Sequence, residues 1–154
     1  MALSLATKYR PKKLDEVYGQ ESVVKILSQQ LATGNIKNCY LFCGASGCGK
    51  TTTARILAKE INKGQGYPIE IDAASNSSVE NVRNIIDGSN VKSIISEYKI
   101  YIIDECHSLS QTAWQALLKT LEEPNSKTIF IFCTTDVQKV PQTILNRVQR
   151  FDFH

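Results

Sequence analysis

Short apolar runs along this chain alternate with longer stretches in which apolar residues recur every three or four positions. The runs are Cys39-Tyr-Leu-Phe-Cys43, Ile69-Glu-Ile-Asp72, Ile100-Tyr-Ile-Ile103, Thr128-Ile-Phe-Ile-Phe-Cys133 and Gln149-Arg-Phe-Asp-Phe153. Their length and their β-branched or aromatic content predict five strands. Between them, Val23, Val24, Leu27 and Leu31 fall on one helical face, with Gly34 placed to end that helix. A second helix is predicted from Lys50, with Ala54, Leu57, Ala58 and Ile61 on one side. Ser77-Ser-Val-Glu80 reads as a capping box opening a third, with Val79, Val82 and Ile86 inward. Ser110 caps a fourth that carries Ala113, Trp114, Leu117, Leu118 and Leu121 and is halted by Pro124; Pro141 opens a short fifth through Leu145. Arg10-Pro11-Lys12-Lys13 reads as an extended lead-in. Apolar strands that alternate with helices predict a parallel sheet covered on both faces. The expected fold is therefore α/β, a three-layered α/β/α arrangement around a five-stranded parallel sheet.

Composition narrows the picture modestly. A chain of 154 residues suits one domain, expected to span 1–154, and buries roughly 68–70% of its unfolded surface. Apolar residues make up 42% and charged residues 21%, an ordinary soluble balance. No stretch approaches the ~18 apolar residues of a membrane span, and the first ten residues lack the charged-then-apolar order of a signal peptide, so a cytoplasmic protein without a membrane partner is expected. The net charge of +3, from 18 Lys and Arg against 15 Asp and Glu, tolerates a nucleic-acid partner without demanding one. Five cysteines, Cys39, Cys43, Cys48, Cys106 and Cys133, are an odd number with no C-x-x-C pair. That argues against a disulfide framework and a zinc site and for small buried hydrophobes.

The chemistry concentrates in Gly44-Ala45-Ser46-Gly47-Cys48-Gly49-Lys50-Thr51, followed by Thr52, which matches the Walker A pattern between a predicted strand and a predicted helix. Glycines let the backbone curl so that N–H groups face phosphate oxygens, and the helix N-terminus adds positive dipole. Lys50 is placed to span the β- and γ-phosphates, and the Thr51 hydroxyl to ligate Mg²⁺. A second Mg²⁺ anchor is expected at Asp104, which ends the apolar run Ile100–Ile103 on the carboxyl edge of the sheet. Glu105 follows and can polarise a water for attack on the γ-phosphate. ATP or ADP with Mg²⁺ is the expected ligand. Asp104-Glu-Cys-His107 also resembles the box of superfamily-2 helicases, whose other motifs this chain lacks; His107 reads as a hydrogen-bonded supporting residue.

Lys8-Tyr-Arg-Pro11, Val17-Tyr-Gly-Gln20, Ile69-Glu-Ile-Asp-Ala-Ala-Ser75, Leu117-Leu-Lys-Thr-Leu-Glu-Glu-Pro124 and Thr134-Thr-Asp136 resemble the gamma/tau subunits of bacterial DNA polymerase III. More broadly they resemble clamp-loader AAA+ ATPases, including replication factor C small subunits. The resemblance runs in order over nearly the whole chain, and the Leu117–Pro124 segment is more specific than either Walker motif. It implies that Tyr9, Arg10, Pro11, Val17 and Tyr18 hold the adenine and that Thr135 is the sensor reading the γ-phosphate or its attacking water. It further implies that Arg147 reaches a neighbouring subunit's ATP in trans, and that Arg83 and Lys119 face primer–template DNA. The implied partners are other clamp-loader subunits in a ring, a sliding clamp and DNA. Three departures follow. Asn62-Lys-Gly-Gln-Gly66 bridges the position of the family's four-cysteine zinc module, so no zinc is expected. Asn146 and Val148 flank Arg147 where the family has Ser and Cys. The family's helical lid, with its sensor-2 arginine, and its collar would follow His154, so the chain reads as the first ATPase domain, with little turnover expected of it alone. Two functions stay open: a clamp-loader motor domain, or an ATP-gated scaffold that hydrolyses poorly.

Overall fold

The computed structural model describes residues 12–89, 93, 95–123 and 127–154. In chain order the elements are α1 (Glu21–Thr33), β1 (Cys39–Cys43), α2 (Lys50–Ile61), β2 (Ile69–Asp72), α3 (Val79–Ser89), β3 (Lys99–Asp104), α4 (Gln111–Glu122), β4 (Thr128–Thr134), α5 (Gln142–Leu145) and β5 (Gln149–Asp152). Single 3₁₀ turns at Leu14–Glu16, Cys106–Ser108 and Val137–Lys139, which the periodicity does not predict, join them. The strands form one sheet in the order β2-β3-β4-β1-β5, and every pairing is parallel.

Alternation along each strand divides the core in two. Leu41 of β1, Tyr101 and Ile103 of β3, and Phe130 and Phe132 of β4 meet α3 through Val82 and Ile85, α4 through Ala113, Trp114 and Leu117, and Ile144 of α5. Their neighbours Tyr40, Phe42, Ile100, Ile102, Ile129 and Ile131 meet Val23 and Leu27 of α1 and Ala54, Leu57, Ala58 and Ile61 of α2. The result is the expected three-layered α/β/α sandwich. Burying each of the valine, leucine, isoleucine and phenylalanine side chains among them contributes about 1.5–3 kcal/mol.

Two local expectations change. β2 is an edge strand, and Ile69, Glu70 and Asp72 are exposed, so two-sided cover holds for the central strands and not for this one. Helix α3 is capped by Ser78, whose Oγ accepts the Asn81 N–H at 3.3 Å, one residue later than the capping box placed it. The other helix boundaries follow the sequence: Gly34 closes α1 in the left-handed conformation at φ 71°, and Ser110 Oγ accepts the Ala113 N–H at 3.1 Å. Pro124 lies outside the described residues. All five cysteines are free; four are buried and Cys48 is half-buried. Burial pushes the Cys43 thiol up to about 11 and raises Cys39, Cys106 and Cys133 as well. No helix among the described residues is long and apolar enough to cross a membrane.

Candidate active site

The loop between β1 and α2 turns back over the carboxyl edge of the sheet. Gly44 donates its N–H to Thr134 O at 3.2 Å, which levels the end of β1 with the end of β4. A Cβ at Gly44 would lie 2.8 Å from both Cys48 Sγ and Phe153 O, so the loop closes only around a glycine here. Gly49 enters α2 at φ 93°, a left-handed conformation that strains any residue with a Cβ. Beyond it, α2 directs its free N–H groups and its dipole at the mouth of the loop.

Lys50 is buried and turned under the loop, donating to Gly44 O at 2.7 Å and Ala45 O at 2.9 Å. Its ammonium lies 3.7 Å from Cys48 Sγ. Next to it Thr51 Oγ1 donates to Asp104 Oδ2 at 3.0 Å. This is the site's most informative distance. Octahedral Mg²⁺ with bonds of 2.0–2.1 Å sets neighbouring ligand oxygens about 3 Å apart. The two hard oxygens, one hydroxyl and one carboxylate, therefore already have the spacing and the chemistry of a Mg²⁺ edge. Asp104 Oδ1 accepts the Glu105 N–H at 3.1 Å, which fixes the carboxylate's plane. Ser46, Gly47, Gly49, Lys50, Thr51, Thr52, Asp104 and Glu105 line one open cleft of about 290 Å³, so residues distant in the chain converge on one volume.

Glu105 is one of two non-glycine residues with positive φ among the described residues, at 53°. Its Oε2 lies 3.3 Å from His107 Nε2, and His107 Nδ1 lies 2.9 Å from Thr134 Oγ1. Thr134 is fully buried and also accepts the Asp136 N–H at 2.9 Å. His107 is thus a hydrogen-bonded support, as its sequence position suggests. The buried hydroxyl contacting it belongs to Thr134; Thr135, read as the sensor, stands exposed just past the end of β4.

The remaining candidates are dispersed. Tyr9, Arg10 and Pro11 lie outside the described residues. Val17 packs partly buried against the core on the α1–α2 face, and Tyr18 is 97% exposed, free to meet a planar ligand. Arg147 sits before β5, and the pairing of Tyr40 with Gln149 places that strand's start at the amino edge of the sheet. Its Nη2 is 3.8 Å from Glu122 Oε1, beside a separate cleft of about 680 Å³. Arg83 and Lys119 are exposed on α3 and α4, helices that pack together on one face.

Gln20 has a place in the site that its sequence context does not signal. It is buried, donates to His154 O at 2.6 Å and Cys48 O at 3.4 Å, and accepts the His154 N–H at 3.1 Å. It ties the glycine-rich loop to His154, which lies 134 positions from Gln20, a contact that no local pattern encodes.

A family model described as "DNA polymerase III, delta subunit" matches residues 67–154. The chain belongs to that family. Among curated relatives, the DNA polymerase III tau subunit of Bacillus subtilis is 43% identical, over 94% of this chain and 30% of its own length. The gamma subunit of Buchnera aphidicola subsp. Acyrthosiphon pisum is 39% identical, over 96% of this chain and 46% of its own length. The chain spans less than half the length of these relatives. The likeness to gamma/tau subunits read from the motifs thus extends over nearly all of it. Among solved structures, a gamma subunit-related protein of Thermotoga maritima superposes with TM-score 0.73 at 23% identity, covering 83% of this chain and 45% of that one. The RuvB Holliday junction branch migration motor of Thermotoga maritima superposes with TM-score 0.76 at 24% identity, covering 94% and 48%. Both establish the fold.

Proposed function

We propose that this chain is the ATP-binding and ATP-hydrolysing motor domain of a DNA polymerase clamp-loader subunit, which loads a sliding clamp onto primer–template DNA during replication. The observation that carries the reading is the 3.0 Å approach of Thr51 Oγ1 to Asp104 Oδ2 beneath a complete phosphate-binding loop. Family membership supports the replication context.

The loop's N–H groups and the N-terminus of α2 bind the triphosphate, and Val17 with the exposed Tyr18 receives the base alongside Tyr9, Arg10 and Pro11. Lys50 exchanges its two carbonyl partners for phosphate oxygens, gaining an oppositely charged acceptor. Thr51 and Asp104 hold Mg²⁺, which when bound neutralises charge on the phosphates. Glu105 orients and polarises the attacking water, and Thr135 reads the γ-phosphate at the end of β4.

Arg147 cannot serve this same cleft. It stands at the opposite edge of the sheet, and β1, which separates the two edges, is Cys39–Cys43, roughly 15 Å at the usual rise per residue. That placement is compatible with the role in trans, at the site of a neighbouring subunit, which the resemblance to clamp-loader ATPases implies. Arg83 and Lys119, on adjoining helices, face the DNA backbone within the ring.

The test is ATP turnover by the full-length protein in its assembly, with and without primed DNA and clamp. Turnover stimulated by both is expected, with Arg147→Ala lowering kcat on the order of 10³-fold. The isolated 154-residue chain is expected to turn over slowly, and indifferently to that substitution. Assembly turnover that ignores DNA, clamp and Arg147 would overturn the clamp-loader reading, and near-absent turnover with ATP-dependent assembly would favour the ATP-gated scaffold.

A further inference from the structure

The contacts around Glu105 form a series of close polar approaches that ends on the proposed catalytic carboxylate. Asp136 N–H donates to Thr134 Oγ1 at 2.9 Å. Thr134 is fully buried, so its hydroxyl hydrogen needs an acceptor inside the protein. The acceptor within reach is His107 Nδ1 at 2.9 Å. An imidazole that accepts at Nδ1 carries its proton on Nε2, and Nε2 lies 3.3 Å from Glu105 Oε2. His107 therefore stands between Thr134 and Glu105, with one ring nitrogen within reach of each. Glu105 Oε1 has no protein partner among the described residues and is left for a water in the cleft that Glu105 lines.

We infer that His107 is a positioning residue for Glu105: held by buried Thr134, it fixes the carboxylate's orientation and couples the end of β3 to the end of β4. This rests on the proposed reading that the chain hydrolyses ATP. Two independent features support it. Glu105 sits in a left-handed conformation at φ 53°, the sort of backbone strain that persists where surrounding structure enforces it and that clusters at functional sites. The 3₁₀ turn Cys106–Ser108, closed by Ser108 N–H to Glu105 O at 3.0 Å, brings His107 back beside the residue two positions before it.

The experiment measures kcat, KM, ATP affinity and thermal midpoint for the full-length assembled protein carrying Glu105→Gln, His107→Ala, His107→Gln, Thr134→Val or the His107→Ala/Thr134→Val pair. Glu105→Gln is expected to abolish turnover. His107→Ala is expected to lower kcat about tenfold or more, with ATP affinity and midpoint nearly unchanged. His107→Gln, whose amide can still donate to Glu105, recovers part of the loss. Thr134→Val lowers kcat on its own and adds nothing in the His107→Ala background, the non-additivity of residues acting as one unit. Unchanged or raised kcat in His107→Ala, with Glu105→Gln inactive, overturns the inference and leaves the hydrolysis reading standing. Loss of affinity and midpoint in proportion to kcat also overturns it, reducing His107 to a structural role. Absence of turnover in the unmutated assembly overturns both.

Discussion

Thr51 and Asp104 illustrate how little at residue scale separates an ordinary hydrogen bond from a metal site. In the structure the hydroxyl donates to the carboxylate; on the proposed reading the same two oxygens would hold Mg²⁺, which would neutralise phosphate charge. Asp104→Asn keeps the shape and removes the charge. It is expected to weaken Mg²⁺-dependent ATP binding by at least about tenfold while leaving metal-free nucleotide binding nearly intact. A Mg²⁺ titration of a fluorescent ATP analogue reads this directly, and equal Mg²⁺ dependence in the two proteins would remove Asp104 from the site. Thiols give a second residue-scale test. Burial raises Cys39, Cys43, Cys106 and Cys133, so at neutral pH each is a protonated, shielded thiol and a poor nucleophile. Cys48, half-buried in the loop, is expected to be the fast-reacting cysteine toward a maleimide, with ADP slowing the reaction. Fast labelling that survives Cys48→Ser would contradict this.

Among the secondary-structure elements, those set by local pattern are legible in the sequence and those set by distant contacts are not. Helix α2 and β1 can be read because the loop joining them is one continuous motif, and Asp104 because it ends an unbroken apolar run. Strand β2 is read at its observed bounds, but its exposure is not: Ile69 resembles a core residue until strand order leaves β2 with β3 as its neighbour on one side only. The pleat likewise decides between Thr134 and Thr135. Alternation places Thr134 on the face of Phe130 and Phe132, where the turn bearing His107 packs, and the strand ends before Thr135. Gln20 bridges Cys48 and His154 across a separation visible only after folding. The cap of α3 turns the one-residue shift into a measurement. Ser78→Ala is expected to cost about 1 kcal/mol, and Ser77→Ala to stay within about 0.5 kcal/mol, both by urea denaturation. The reverse order would restore the capping box at Ser77.

Over the whole molecule, the parallel sheet separates two surfaces that one subunit cannot bring together. The cleft proposed to bind phosphates lies at the carboxyl edge, where strand ends and the N-terminus of α2 converge, and Arg147 stands at the amino edge. In the proposed head-to-tail ring each subunit would present one edge to each neighbour, and on that proposal catalysis would depend on assembly. A third surface, formed by α3 and α4, carries Arg83 and Lys119 outward and belongs to neither edge. If it lines the ring's interior, it meets phosphates, and the signature is salt dependence, with no dependence on base sequence. Arg83→Ala and Lys119→Ala are each expected to weaken primed-DNA binding by the assembly similarly across unrelated sequences. Each should make the slope of log K against log salt shallower by about 0.9 for every phosphate that the removed side chain neutralised, multiplied by the number of copies engaged. Basal ATP turnover without DNA should stay the same, because neither residue touches the cleft. A slope unchanged in both variants would move the DNA path off this face while leaving the nucleotide site, and the trans role of Arg147, as they are.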